Sequence, residues 1–137
     1  MTLLFKQDKY SGENVQFSSI NQLLLTLSAH HVSCTKFIAD KHYGNIARIA
    51  QRFIKIEGSM INKVSTKFFR QTEVQLQQGG LHYPVISNYI DMHQRNIDLI
   101  SYLKSTIKQF NNHQLAAFFS YWVAALQVEN DEMAKHL

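Results

Sequence analysis

The sequence predicts an all-α chain folded as an antiparallel up-down four-helix bundle with a short N-terminal arm. Three observations carry this. Over most of the 137 residues, Ile, Leu, Phe and Ala recur at alternating steps of three and four, the spacing of one face of a helix. A single Pro and five Gly leave long stretches free of helix breakers. No segment sustains the two-residue alternation of a half-buried strand. With 45% apolar residues, the chain is long enough to bury one core, so residues 1–137 are expected to form one domain.

Residues 1–16 are mixed in character and carry a Ser11-Gly12 turn signal, which predicts the arm. Helix A is expected over about 18–40, with Ser18 and Ser19 as suitable N-cap residues and Ile20, Leu24, Leu27, His31, Cys34 and Ile38 as its inward stripe. Helix B follows over about 45–76, with Ile46, Ile49, Phe53, Ile56, Met60, Val64 and Phe68 inward. Gly58 inside it costs about 1 kcal/mol against Ala and marks a kink or a close helix contact. Gly79-Gly80 ends helix B, and Pro84 suits the first turn of helix C over about 85–110. Its stripe is Ile86, Tyr89, His93, Ile97, Ile100, Leu103, Ile107 and Phe110. Asn111-Asn112 makes a turn into helix D over about 113–137, with Leu115, Phe119, Trp122, Leu126, Glu129 and Met133 inward. Short A–B and C–D connections make those pairs antiparallel neighbours. Four such helices close into a bundle about 35 Å long at roughly 1.5 Å per residue.

Composition narrows the function classes. No apolar run approaches the roughly 20 residues of a spanning helix, so membrane insertion is not expected. The N-terminus lacks the basic start, apolar stretch and small-residue cleavage site of a signal peptide. The single Cys34 has no internal partner for a disulfide, and with the missing leader this predicts the cytoplasm. The formal charge of +4 comes from 14 Lys and Arg scattered over every segment. No basic block or nucleic-acid motif gathers them, so a solvated surface rather than a nucleic-acid partner is expected.

No phosphate-binding loop, nucleophile elbow, paired-cysteine motif or zinc-protease motif is present, and no enzyme activity is predicted. Of the seven His, His30, His42, His82, His113 and His136 lie near helix ends or loops, where surface and capping roles are the plain reading. His31 and His93 fall on apolar stripes instead. A stripe His is either a core residue with one hydrogen bond or a metal ligand between helices. Cys34 reads as a small buried hydrophobe.

Several spacings resemble those of the hemerythrins, the four-helix family that holds a di-iron centre. The arm carries Phe5, Asp8, Ser11 and Gly12; late helix B carries Phe68, Phe69, Arg70, Gln71, Thr72, Glu73 and Leu76, followed by Gly80, Tyr83 and Pro84; Trp122 stands in helix D. The resemblance covers nearly the whole chain. It places the family's iron ligands at Asn21, Phe68, Thr72, Tyr89, His93, Leu126 and Asp131. Of these only His93 and Asp131 keep a ligand side chain. Two ligands do not hold a di-iron pair, and Phe68 and Leu126 coordinate nothing.

The resemblance therefore implies a bundle that has lost its di-iron site, takes no cofactor and acts non-enzymatically by binding another protein in regulation or signalling. The alternative is a metal- or oxygen-binding protein, with iron as cofactor, in which His31 and Glu129 join His93 and Asp131 as a rearranged ligand set. For the left-over pair, an Asp131–His93 hydrogen bond between helices C and D is the plain expectation. The arm and the Gly79–Pro84 loop carry Phe5, Tyr10, Leu81 and Tyr83, which either pack on the bundle or meet a partner.

Overall fold

The structure is a computed structural model and describes residues 2–41, 43–68 and 82–137, with side chains described from residue 18 onward. It is an all-α four-helix bundle. The helices are α1 (Thr2–Ile38), α2 (Asn45–Lys67), α3 (Tyr89–Ile107) and α4 (His113–Ala134). The part of helix B expected beyond residue 68 and the Gly79-Gly80 stop lie outside the described residues, as do His42 and Leu81.

α2 closes at Lys67 with Phe68 as its C-cap, short of the expected end near residue 76, and two further boundaries differ from expectation for local reasons. The expected arm over residues 1–16 is, from Thr2 on, the opening of α1. Ser11-Gly12 does not break it, because an interior Gly costs a helix only about 1 kcal/mol. α3 begins four residues after the expected Val85. Its N-cap is Asn88, whose side chain accepts from the Asp91 backbone N–H at 2.8 Å, while Asp91 Oδ2 accepts from the Ser87 N–H at 2.8 Å. Two orphan donors are thereby satisfied at once, a stronger start signal than Pro84 supplies. At α4, Asn112 caps the Leu115 N–H at 3.0 Å.

Most expected stripe residues are buried, from Ile20, Leu24 and Leu27 to Phe119, Leu126 and Met133, and the inward faces differ at a few positions near mid-bundle. Glu57 is buried where Ile56 was expected to lead, Met92 and Asn96 replace His93 and Ile97, and Val123 and Asn130 replace Trp122 and Glu129. Drawing each stripe through its most apolar letters passed over polar residues at positions that fit the period equally well. Phe53, Glu57, Met60 and Val64 step by four, three and four, as do Met92, Asn96, Leu99 and Leu103.

Each helix packs antiparallel to both of its neighbours, in the order α1–α2–α4–α3 around the bundle. His30 meets Glu57 between α1 and α2, Arg52 meets Glu129 between α2 and α4, and Asn96 meets Asn130 between α3 and α4. Phe37 meets Tyr89 between α1 and α3. α2 and α3 therefore lie on a diagonal and run parallel. The Ser33 hydroxyl donates to the Pro84 carbonyl at 2.7 Å, which ties the segment leading into α3 to α1. Hemerythrin-type bundles run up-down-up-down with short loops, which makes the second and third helices antiparallel neighbours; here they are neither. No helix among the described residues is long and apolar enough to cross a membrane.

Candidate functional site: a buried polar layer

The core has two apolar clusters. The larger joins Leu23, Leu24 and Leu27 of α1 to Met60, Val64 and Phe68, Leu99 to Ile107, and Leu115 to Leu126. The smaller joins Cys34, Phe37 and Ile38 to Ala47, Ile49, Ala50, Ile86, Met92 and Met133. Between them all four helices contribute a polar side chain at one level. Glu57 is 0% exposed, and Asn96 and Asn130 are equally enclosed.

The layer is one connected hydrogen-bond chain. His30 Nδ1 lies 2.6 Å from Glu57 Oε2, and His30 Nε2 lies 2.8 Å from Asn96 Oδ1. Asn96 Nδ2 donates to Asn130 Oδ1 at 3.0 Å, and Asn130 Nδ2 donates to the His93 backbone carbonyl at 3.3 Å. His31 Nδ1 stands 3.2 Å from the second Glu57 oxygen. The direction of this chain follows from its end. A carbonyl only accepts, so Asn130 turns its NH2 to His93 and its oxygen to Asn96. Asn96 must then offer its oxygen to His30, and His30 Nε2 carries a proton. The Nδ1–Glu57 contact shares a second proton, which leaves the pair neutral overall. A buried carboxylate is tolerated only when paired and hydrogen-bonded, and both conditions hold here.

Cys34 lies one helical turn beyond His30. Its Sγ is 3.6 Å from His30 Nδ1 and 3.7 Å from Nε2, so the sulfur stands over the ring. Burial, reinforced by the Glu57 charge, pushes the thiol well above the ordinary cysteine range, with Arg95 acting in the opposite sense. A thiol so placed stays protonated at neutral pH. Gly58 adjoins the layer: a Cβ there would come within 3.2 Å of His31 Cε1. The expected close contact at Gly58 is thus with the His31 ring.

The four residues singled out as metal ligands go to separate partners. His31 is on Glu57. His93 lends its backbone carbonyl to the layer and its ring is half-buried. Glu129 accepts from Arg52 Nε at 2.9 Å. Asp131 is exposed and accepts from Gln127 Nε2 at 2.8 Å, in place of the expected bond to His93. Among the described residues the group that does gather donor atoms within 4.8 Å of one another is His30, Cys34 and Glu57. A surface or capping role is the plain sequence reading of His30, and Glu57, Asn96 and Asn130 belong to no sequence motif. The available signal was a polar letter at a position where the three-four period demands a core residue.

Of the positions at which the resemblance places iron ligands, Phe68 is buried and stacks on Phe119 at 6.4 Å, and Leu126 is fully buried in the same cluster. Tyr89 packs edge-on against Phe37 at the opposite end of the bundle. Thr72 lies outside the described residues. What fold and site define together is a four-helix bundle whose apolar core is divided by a charged and amide layer. Comparison with protein-family models, curated proteins and solved structures yields no match.

Proposed function

We propose that this chain is a non-enzymatic helical module that acts by binding another protein, in a regulatory or signalling role in the cytoplasm. The observation that carries the reading is the filled interior. Phe68 and Leu126 occupy apolar core where a di-iron protein of hemerythrin type would present imidazole, each large side chain contributing about 1.5–3 kcal/mol by its burial. That packing stands without kinship to the hemerythrins, because α2 and α3 lie on a diagonal here.

A surface suited to a partner lies at the end of the bundle where α1 finishes and α3 begins. Val85 is 80% exposed and Ile90 67% exposed there, beside a cleft lined by Lys36, Phe37, Lys41, Tyr83 and Pro84. Apolar side chains held so far into water at one end favour a protein contact.

The test has two arms. Metal analysis and an absorption spectrum of the purified chain are expected to show no di-iron centre; two irons per chain with an oxo-bridged visible band would overturn the proposal. Affinity capture by wild type and by the Val85→Glu, Ile90→Glu double variant is expected to differ in one recovered protein. Identical recoveries count against the assigned surface.

A further inference from the structure

We infer that His30, Cys34 and Glu57 form a binding site for a single divalent cation of borderline softness, with Zn2+ as the best-fitting ion. The inference is independent of the surface reading above and uses none of the ligands that the hemerythrin resemblance points to.

The donor set is the first argument. An imidazole, a thiol and a carboxylate are the three side chains that Zn2+ takes, and thiolate with imidazole selects against Mg2+ and Ca2+. His30 and Cys34 stand four apart on α1 and so share a face, and Glu57 arrives from α2 opposite them. Their donor atoms lie within 4.8 Å of one another. Metal bonds of about 2.0–2.3 Å place ligand atoms roughly 3.3–3.8 Å apart around a tetrahedral ion. Two movements separate this arrangement from a bound geometry, and one is that the 2.6 Å contact between His30 Nδ1 and Glu57 Oε2 opens by about 0.7 Å to admit the ion. The other is specific too: Sγ stands over the His30 ring, so the thiol must swing toward the Nδ1 edge, where the lone pair points.

The surroundings of His30 are the second argument. A metal-bound imidazole ordinarily donates its other ring N–H to a carbonyl or carboxylate, which fixes its tautomer and orientation. Here Nε2–H is held by Asn96 Oδ1 at 2.8 Å, and Asn96 is held in turn by Asn130 on the His93 carbonyl. The chain's direction leaves Nδ1 as the only ring atom available to an ion. His31, with its side chain 30% exposed, sits on the other Glu57 oxygen at 3.2 Å and lies on the route from solvent. A water completes the fourth position.

Charge closes the argument. Entry of M2+ displaces the Cys34 thiol proton and the proton shared by His30 and Glu57. The products are a thiolate, a neutral imidazole that keeps Nε2–H, and a carboxylate. Two negative charges meet two positive ones, so the site is neutral before and after binding. A buried layer accepts that exchange without an uncompensated charge.

The test is titration of the reduced, purified full chain with Co2+, whose bond to thiolate gives a near-ultraviolet charge-transfer band and whose tetrahedral sites give intense visible bands. One Co2+ per chain is expected, with both features, and Zn2+ should displace it. Cys34→Ser should lose the charge-transfer band and bind roughly tenfold or more weakly. Asn96→Ser should keep the band and weaken binding about ten- to a hundredfold, as loss of a supporting hydrogen bond does. Wild type that binds no Co2+, that binds it without the thiolate band through surface His alone, or whose band survives in Cys34→Ser overturns the inference. The wild-type spectrum decides the matter even where a variant fails to fold.

Discussion

Glu57 is the residue with most at stake. Its carboxylate is fully enclosed and answers to His30 and His31. Removing one partner of a buried ion pair leaves the other charged in an apolar setting, which costs about 3–5 kcal/mol. Glu57→Ala is expected to lose stability on that scale in urea denaturation; a loss under 1 kcal/mol would show that water or another group already satisfies His30. Cys34 gives a kinetic counterpart. Buried and pushed well above its ordinary range, its thiol should react with a disulfide reagent far more slowly in the native chain than in the unfolded one. Equal rates would mean the thiol is accessible.

At the scale of the element, helix ends and glycines decide stability locally. Asn88 begins α3, and replacing it by Ala should cost about 1 kcal/mol by calorimetry. Asp91, three residues on, is held below the usual carboxylate range by the Ser87 backbone N–H and then by the Arg95 guanidinium. A lowered folded value places its contribution above the unfolded value of about 3.9. That contribution is lost as pH falls through the folded value. Asp91→Asn should therefore be less stable than wild type at pH 7, and the two should converge in acid. A gap that persists below about pH 2 would assign the effect to something other than ionisation. The polar residues on the inward faces belong to this scale as well. Period alone places an inward face, yet Ile56 and Glu57 both satisfy a three-four spacing with their neighbours. Only the layer across the bundle shows which of the two faces the core.

For the whole molecule, the polar layer separates two apolar clusters, with Phe53 alone reaching from the small-cluster side into the larger one. Such a layer fixes how four helices slide against one another, because any other register strands a buried amide or carboxylate. Replacing His30, Glu57, Asn96 and Asn130 together by Leu should leave cooperative unfolding at equal or higher stability but degrade unique packing. Amide NMR dispersion and dye binding read that loss, and a fully dispersed spectrum would show that the apolar clusters set the register unaided.

Helical class, helix number, the antiparallel A–B and C–D pairs and the burial of Cys34 were legible in the sequence, because each depends on local period and on short connections. Connection order was not. An eight-residue loop after Leu76 would have made α2 and α3 neighbours, whereas α2 ends at Lys67 and the two helices lie on a diagonal. The site was hidden for a related reason. His30, Glu57, Asn96 and Asn130 are far apart along the chain and individually unremarkable, and each is tolerable in the core only because the others are there. A sequence reports what one segment prefers. Whether a buried charge has a partner is a property of three-dimensional packing, and only the tertiary structure supplies it.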